Sequence, residues 1–290
     1  MFFNKRNLFP FFLILAVILS IGAHATSTET PPKQFDLLKE RLVADGFSQK
    51  SILKIYASPS VKFDLGTMSG YFRHREISSS YTQFSSPSQV SLAKAYLKNN
   101  KKTLITAETT YNVPKEIIVA ILLIETRLGA NTGRSGVLNT FSSISALSFP
   151  EVRNSAYIAL KDRNPALNRE EFDRWSDRKA PWAYKELIAF LTWTQRDNVP
   201  PESILGSYAG AFGICQFLPS SLLKFGADGN GDGKINLFQK EDAIFSIGNY
   251  LKGNGWLPEN TPDQNRKAIY AYNNSTPYVD AVFAVASFLY

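Results

Sequence analysis

Apolar and polar residues alternate with a helical period along most of this chain. Apolar residues at i, i+3 and i+4 predict helices over residues 35–42, 52–56, 90–111, 184–193, 242–252, 264–272 and 277–289. The segment 59–87 is rich in Ser, Tyr and Phe and is predicted to be extended or irregular. The segment 145–178 is polar and is predicted to break at Pro150 and Pro165. The pattern indicates a mainly α-helical fold (α+β class) in which irregular polar segments form a cleft.

One predicted helix departs from the amphipathic pattern. Residues 117–124 are all apolar, and Glu125 follows them directly. A helix that is apolar on every side is a buried helix. Asn112 is predicted to cap its start, Pro114 to lie in its first turn, and Gly129 to follow its end. Glu125 is therefore expected in the last turn of a buried helix.

A carboxyl group in that position has unusual chemistry. Burying an ionised carboxylate is costly unless it is paired, and the helix dipole disfavours negative charge at a C-terminus. Both effects favour the protonated carboxyl, which is the form that a general acid requires. The alternative interpretation is a structural Glu125 paired with Arg127 or with a more distant arginine. The helix alone does not decide between them.

The N-terminus has the pattern of an export signal. Two basic residues precede an apolar run over residues 8–23, and a small-x-small site ends at Ala25. We expect a signal peptide over 1–25, a flexible lead-in over 26–34, and the functional region over 35–290. The apolar run is short for a membrane span, so an uncleaved anchor is the minor alternative. The predicted location is the periplasm, without a lipid anchor because no Cys lies near the cleavage site.

Scarce residue types exclude several kinds of chemistry. Cys215 is the only cysteine, so neither an internal disulfide nor a cysteine-based zinc site is expected. His74 is the only histidine beyond the predicted signal peptide, and it lies between Arg73 and Arg75. A solvated basic segment is the better interpretation than a Ser–His–Asp or Cys–His site. Carboxylates, hydroxyls, amides, tyrosines or a hard metal ion remain.

The formal net charge of +7 favours a polyanionic polymer or surface as partner. Nucleic acid is not expected, because no basic run is interleaved with aromatic residues as in single-strand binders.

The segment 228–236 follows the first half of an EF-hand calcium loop. Oxygen-bearing side chains lie at positions 1, 3, 5 and 9, and Gly233 lies at position 6, where the loop turns sharply. Position 12 is Gln239 instead of Glu, so either a longer loop closes at Asp242 or binding is weak. An Asp/Asn/Gly turn without metal is the other interpretation. The candidate ligands of a structural Ca²⁺ are Asp228, Asn230, Asp232, the carbonyl of Lys234, and Asp242.

Three other stretches carry polar groups suited to a sugar cleft. Residues 206–220 concentrate small residues, which let backbone approach a ligand closely. Asn249 and Tyr250 lie in a predicted helix, and residues 272–278 join the last two helices. Tyrosine rings stack on sugars, and amides bond hydroxyl groups. Taken singly, each stretch is more typical of a core or a turn than of a site.

Four motifs in order carry a family resemblance. Residues 125–129, 206–220, 228–236 and 272–278 occur at spacings that resemble the MltB family of lytic transglycosylases, of glycoside hydrolase family 103 type. The resemblance covers about residues 35–290 and is strongest after residue 112. It implies a lysozyme-like transglycosylase core over about 106–290, with additional helical segments and an EF-hand-like loop.

The resemblance implies cleavage of the β-1,4 MurNAc–GlcNAc bond of peptidoglycan without water. Glu125 would act first as acid and then as base toward the C6 hydroxyl of MurNAc, which closes a 1,6-anhydro ring. The family's metal loop is longer than an EF-hand loop, so Asp242 becomes its last ligand. The implied substrate contacts are Ser207, Gln216, Tyr250, Tyr272, Asn273, Tyr278 and Tyr81.

One departure and two alternatives accompany this interpretation. The family's peptide-contacting arginines correspond to Glu151 and Val152, and Arg153 follows them. A hydrolytic muramidase on the same core is one alternative, and a non-catalytic peptidoglycan-binding scaffold is the other. The expected partners are the glycan strands of peptidoglycan, with cell-wall synthesis or secretion machinery as a possible second class.

Overall fold

The computed structural model describes residues 33–73 and 81–290. The predicted signal peptide, the lead-in up to residue 32, and His74 lie outside the described residues. Lys33 and Gln34, which end the predicted lead-in, already belong to a short 3₁₀ helix, Lys33–Phe35.

The N-terminal part is built from short helices. They are α1 (Asp36–Ala44), α2 (Gln49–Tyr56), α3 (Leu65–Arg73), the 3₁₀ helix Thr82–Ser85, α4 (Pro87–Asn99) and α5 (Lys101–Tyr111). Helix α3 corrects the prediction that 59–87 is extended or irregular. The Asp64 carboxylate accepts hydrogen bonds from the N–H groups of Gly66 (2.8 Å) and Thr67 (3.1 Å), which caps the start of this helix.

The predicted single helix over 90–111 is two helices. Asn100 lies between α4 and α5 with non-helical φ and ψ of −114° and 22°. Its backbone N–H and its side-chain amide both donate to the Tyr96 carbonyl at 3.0 Å, which closes the end of α4. The hydrophobic pattern continues across the break, so the pattern alone did not reveal it.

The rest of the chain contains further helices and a short pair of strands. The helices are α6 (Lys115–Thr126), α7 (Val137–Ala146), α8 (Pro150–Arg163), α9 (Arg169–Arg196), the 3₁₀ helix Pro201–Ser203, α10 (Pro219–Phe225), α11 (Lys240–Gly253), α12 (Pro262–Tyr272) and α13 (Thr276–Ser287). Strands β1 (Ser135–Gly136) and β2 (Leu205–Gly206) pair antiparallel, with Ser135 opposite Gly206. The predicted helix over 184–193 is part of α9. The predicted breaks at Pro150 and Pro165 are confirmed: Pro150 is the first residue of α8, where proline is well tolerated, and Pro165 lies between α8 and α9.

Helix α6 is the buried centre of the molecule, as the sequence predicts. Residues 117–124 are at most 9% exposed, and α4, α5, α11 and α13 pack around them. Two details of its ends differ from the prediction. Asn112 has a left-handed φ of 55° and ends α5, while Pro114 is the N-cap residue of α6. Asparagine tolerates the left-handed conformation of a helix C-cap, which explains the exchange of roles.

The helix ends earlier than Gly129. Thr126 is its last residue, and Arg127, Leu128 and Gly129 follow with φ values of 51°, 62° and 95°. The N–H of Leu128 donates to the Leu122 carbonyl at 2.9 Å, which satisfies the open end of the helix. Within the described ranges, no helix has the length and apolar content that crossing a membrane would need.

Candidate active site

Glu125 lies half-buried in the last turn of α6 and faces α13. The hydroxyl of Tyr278, on the first turn of α13, donates a hydrogen bond to Glu125 Oε1 at 2.6 Å. Tyr278 is 1% exposed, whereas Glu125 is half-buried, so the bond joins a buried donor to a partly accessible carboxyl. The guanidinium of Arg127 points elsewhere and donates to Gln83 Oε1 at 3.3 Å. A phenol therefore takes the position beside Glu125 that the structural interpretation assigned to Arg127.

Four of the predicted cleft residues form one row of tyrosines. The ring of Tyr278 meets Tyr81 edge to face at 5.9 Å between centroids and stacks on Tyr272 at 6.5 Å. Tyr272 in turn contacts Tyr250 at 4.9 Å. Tyr81 is far from the other three tyrosines in the sequence. The fold places all four in one row, with Tyr278 next to Glu125.

Hydrogen bonds to backbone fix the far end of this row. The hydroxyl of Tyr272 donates to the Cys215 carbonyl, and that of Tyr250 donates to the Ala271 carbonyl at 2.6 Å. The ring of Phe217 packs against both, with centroid distances of 5.7 Å to Tyr272 and 5.4 Å to Tyr250. Both rings are thus held in one orientation before any ligand binds.

Burial sets the protonation of these groups. It raises the pKa of Tyr278 well above its usual value, and the charge of Glu125 and the bond donated to it act in the same direction. Burial, followed by the neighbouring Cys215 and Glu125, likewise raises the pKa of Tyr272. Burial also raises the pKa of the Cys215 thiol, with a smaller effect from Glu125. The phenols stay hydrogen-bond donors, and the thiol stays protonated and unreactive.

Thr126 connects the end of α6 to the glycine-rich stretch 206–220. Its Oγ1 donates to the Ile214 carbonyl at 2.7 Å and accepts from the Gly129 N–H at 2.9 Å. Sequence reasoning missed this residue. The available signal was a hydroxyl directly after Glu125, at a helix end where backbone groups need partners. Thr126 fixes the position of its neighbour Glu125 relative to the loop.

The side chains of Gln216 and Ser207 hold the loop itself. Gln216 has a φ of 50°, and its Nε2 donates to the carbonyls of Thr132 (3.1 Å) and Gly213 (2.9 Å). Ser207 Oγ accepts from the Ala211 N–H at 3.1 Å. Both side chains are half-buried, so each shapes the loop and keeps a partly exposed surface.

Glycine is required where this loop crosses the segment before β1. A Cβ on Gly133, whose φ is 99°, would lie 2.0 Å from the Gly206 carbonyl oxygen.

Asn273 follows α12 in extended conformation and is half-buried. Its carbonyl accepts from the Ser275 N–H at 2.7 Å, which shapes the turn into α13.

The acidic loop, residues 228–242, is organised by its carboxylates. Asp228 accepts from the N–H groups of Gly231 and Gly233, each at 2.7 Å, and Asp232 Oδ1 accepts from the Lys234 N–H at 2.9 Å. Gly231 and Gly233 have φ values of 79° and 80°. The turn thus depends on glycine at two positions that L side chains adopt with strain.

Asp242 closes the acidic loop from the first turn of α11. Its two oxygens accept from the N–H groups of Gly229 (2.9 Å) and Asn236 (2.7 Å), and the residue is 0% exposed. Burial raises its pKa, and the nearby charges of Asp228 and Asp232 add to that effect. Across residues 33–73 and 81–290, no three Asp, Glu, His or Cys side chains form a group that could hold a metal by themselves.

A backbone hydrogen bond connects the acidic loop to the glycine-rich stretch 206–220. The Ile214 N–H donates to the Leu237 carbonyl at 2.8 Å, while the Ile214 carbonyl accepts from Thr126. One residue thus connects the acidic loop to the end of α6.

Comparisons with known proteins bear on this arrangement. The family model for the transglycosylase SLT domain matches residues 32–264. The membrane-bound lytic murein transglycosylase B of Escherichia coli K12 is 31% identical over 198 residues, which make up 68% of this chain and 45% of that protein. The chain therefore spans less than half the length of this curated relative.

Solved structures of low sequence identity share the fold. Escherichia coli Slt35 in complex with calcium has a TM-score of 0.72 at 22% identity, covering 91% of this chain and 94% of that one. SltB3 of Pseudomonas aeruginosa in complex with NAG-anhNAM-pentapeptide has a TM-score of 0.70 at 20% identity, covering 88% and 78%. The predicted mainly helical, lysozyme-like fold is confirmed.

Proposed function

The chain belongs to the transglycosylase SLT domain family, and on that premise we propose that it is a lytic transglycosylase of peptidoglycan. It cleaves the β-1,4 MurNAc–GlcNAc bond and leaves a 1,6-anhydro-MurNAc end, in cell-wall remodelling or turnover. The observation that carries this proposal is Glu125, which accepts a 2.6 Å hydrogen bond from Tyr278, a buried member of a row of tyrosines.

In the first half of the reaction, Glu125 is the general acid. Its proton passes to the glycosidic oxygen as the bond from that oxygen to C1 of MurNAc breaks, and GlcNAc leaves as an alcohol. The resulting carboxylate keeps the hydrogen bond from Tyr278, which stabilises the ionised form. The N-acetyl group of the substrate assists at the anomeric carbon, so the enzyme needs no second carboxylate there.

In the second half, the same carboxylate is the general base. It removes the proton from the C6 hydroxyl of MurNAc, and O6 forms a bond to C1 as the assisting acetyl oxygen leaves that carbon. Glu125 ends the cycle protonated, with no water consumed. Proton transfer in both directions by one residue requires a fixed carboxyl, which the anchors at Tyr278 and Thr126 supply.

The glycan strand binds along the tyrosine row. Tyr81, Tyr250 and Tyr272 offer ring faces and edges, and Tyr278 contacts both the row and Glu125. The remaining proposed contacts come from half-buried polar side chains at the edge of the cleft: Ser207, Gln216 and Asn273.

The first test is Glu125→Gln, which keeps the shape of the side chain and removes its proton transfer. Turnover of purified murein sacculi should fall by at least about 10³-fold, since proton transfer contributes about 10²–10⁴ and both half-reactions use this group. Release of soluble muropeptides measures turnover, and sedimentation with sacculi measures binding. Unchanged release would overturn the assignment of Glu125. No release by the wild type, with binding retained, would favour the scaffold alternative.

We propose that the acidic loop binds a structural calcium ion. Its donor set consists of hard oxygen atoms, as Ca²⁺ prefers, and Gly231 and Gly233 adopt the left-handed turn that such a loop needs. Asp228, Asn230, Asp232, the Lys234 carbonyl and Asp242 would hold the ion. Calcium would offset the repulsion among three carboxylates and stabilise the loop that contacts Ile214.

The proposed substrate and the export pattern over residues 1–25 support a periplasmic location. The primary partner is the glycan strand of peptidoglycan. Cell-wall synthesis or secretion machinery is a second candidate, suggested by where the substrate is made and opened.

A further inference from the structure

We propose that the peptide stem of the bound murein strand lies in a groove beside the tyrosine row and meets cations on α12. This inference rests on the proposed function, because the stem arrives attached to a MurNAc residue in the cleft. It assigns the peptide contacts to the last two helices of the chain, away from Glu151 and Val152.

Two adjoining cavities form the groove. The first, about 510 Å³, lies between the 3₁₀ helix Thr82–Ser85 and α13. The second, about 230 Å³, lies between α12 and α13 and is lined by Arg266 and Lys267. Thr276, at the start of α13, lines both cavities. Together their volume falls within the range of known ligand pockets.

The groove begins at the active site. Tyr81 lines the first cavity, and its ring lies 5.9 Å from that of Tyr278, which donates to Glu125. A peptide attached to a sugar near Glu125 can therefore pass over Tyr81 into the groove. The opposite end of the groove, at α12, lies one helix farther from the reacting bond.

The lining of the first cavity suits a peptide backbone with small side chains. Hydroxyl groups of Ser85 and Thr276 can bond amides, and Pro277, Ala281 and Ala284 form a shallow apolar wall. Murein stems contain alanine residues, whose methyl groups match such a wall. No large side chain on this wall would exclude an extended peptide.

The second cavity supplies positive charge. The guanidinium of Arg266 pairs with Asp280, which lines the first cavity and is 60% exposed. Lys267 is exposed and takes part in none of the ion pairs among the described residues. Asp280 neutralises Arg266, so Lys267 is the charge at this end of the groove that complements the free carboxylates of murein stems.

The position of the family's arginines offers no such charge. Glu151 and Val152 occupy it, and the next residue, Arg153, is already engaged. Its Nε donates to the Leu147 carbonyl at 2.8 Å, and its NH1 pairs with Asp177 at 2.7 Å. Arg153 therefore stabilises α8 against α9.

The experiment compares two substrates: intact murein strands and strands stripped of their peptides by an amidase. Lys267→Glu should lower kcat/KM on intact strands by about fivefold more than on stripped strands, the effect of one exposed charge contact. Ala284→Phe, at an exposed helical position, should produce a similar difference by filling the groove. Melting temperatures establish that both variants are folded.

Matched controls are Lys102→Glu and Ala95→Phe, both on exposed helical positions of the N-terminal part. They should leave the ratio between the two substrates unchanged. Equal effects of Lys267→Glu and Ala284→Phe on both substrates, or no effect, would overturn the peptide groove and leave the proposed function intact. A wild type that cleaves neither substrate would overturn the proposed function itself.

Discussion

The tyrosine pocket, which consists of Glu125 and the tyrosine row, and the acidic loop hold their carboxylates in different ways. In the pocket, Glu125 is held by Tyr278, 153 residues away in the chain, and the contact is partly buried. In the loop, Asp228, Asp232 and Asp242 accept backbone hydrogen bonds from within 13 residues, and most of the loop is exposed. The pocket is therefore organised by tertiary packing before substrate arrives. The loop is organised locally and gains most from an added cation.

The sharpest way to test the pocket is Tyr278→Phe, which removes one hydroxyl. Loss of a hydrogen bond to a charged group, about 1.5–3 kcal/mol, should lower kcat/KM about 10- to 100-fold. The bond favours ionised Glu125, so its loss favours the protonated acid. The alkaline limb of the pH–activity profile should therefore move to higher pH. Because burial raises the pKa of Tyr278, its own ionisation does not produce that limb.

The matched control is Tyr157→Phe on α8, a tyrosine that packs against Phe172 away from the row. It should leave the profile unchanged. If Tyr278→Phe keeps both the rate and the profile of the wild type, the pocket is not organised through this bond.

The acidic loop should show a smaller effect, on stability. Calcium at about tenfold above its Kd should stabilise the folded chain by about 1–2 kcal/mol and raise the melting temperature. Asp232→Ala should abolish that increase, whereas Asp263→Ala, an exposed acid on α12, should not. A wild type whose melting temperature does not respond to calcium would refute the metal site. The comparison would then change, because the loop would be complete without a cation.

The same contrast explains what the sequence could predict. Local patterns located α6, the C-terminal helices and the acidic loop, and they singled out Glu125 as unusual. Local chemistry misled at two places: Asn112, predicted to start α6, caps the end of α5, and α3 begins after Asp64 in a segment predicted to be irregular. Contacts between distant segments, such as Tyr278 with Glu125, are not encoded in periodicity. Only the order of four motifs, through a family resemblance, indicated that these segments belong to one site.

The central claim is that Glu125 acts twice and that a sugar hydroxyl, not water, attacks the anomeric carbon. Digestion of murein in H₂¹⁸O, followed by mass spectrometry of the released muropeptides, tests it directly. We predict 1,6-anhydro-MurNAc ends that carry no ¹⁸O. Reducing MurNAc ends labelled with ¹⁸O from the first turnover would contradict the account and identify a hydrolytic muramidase.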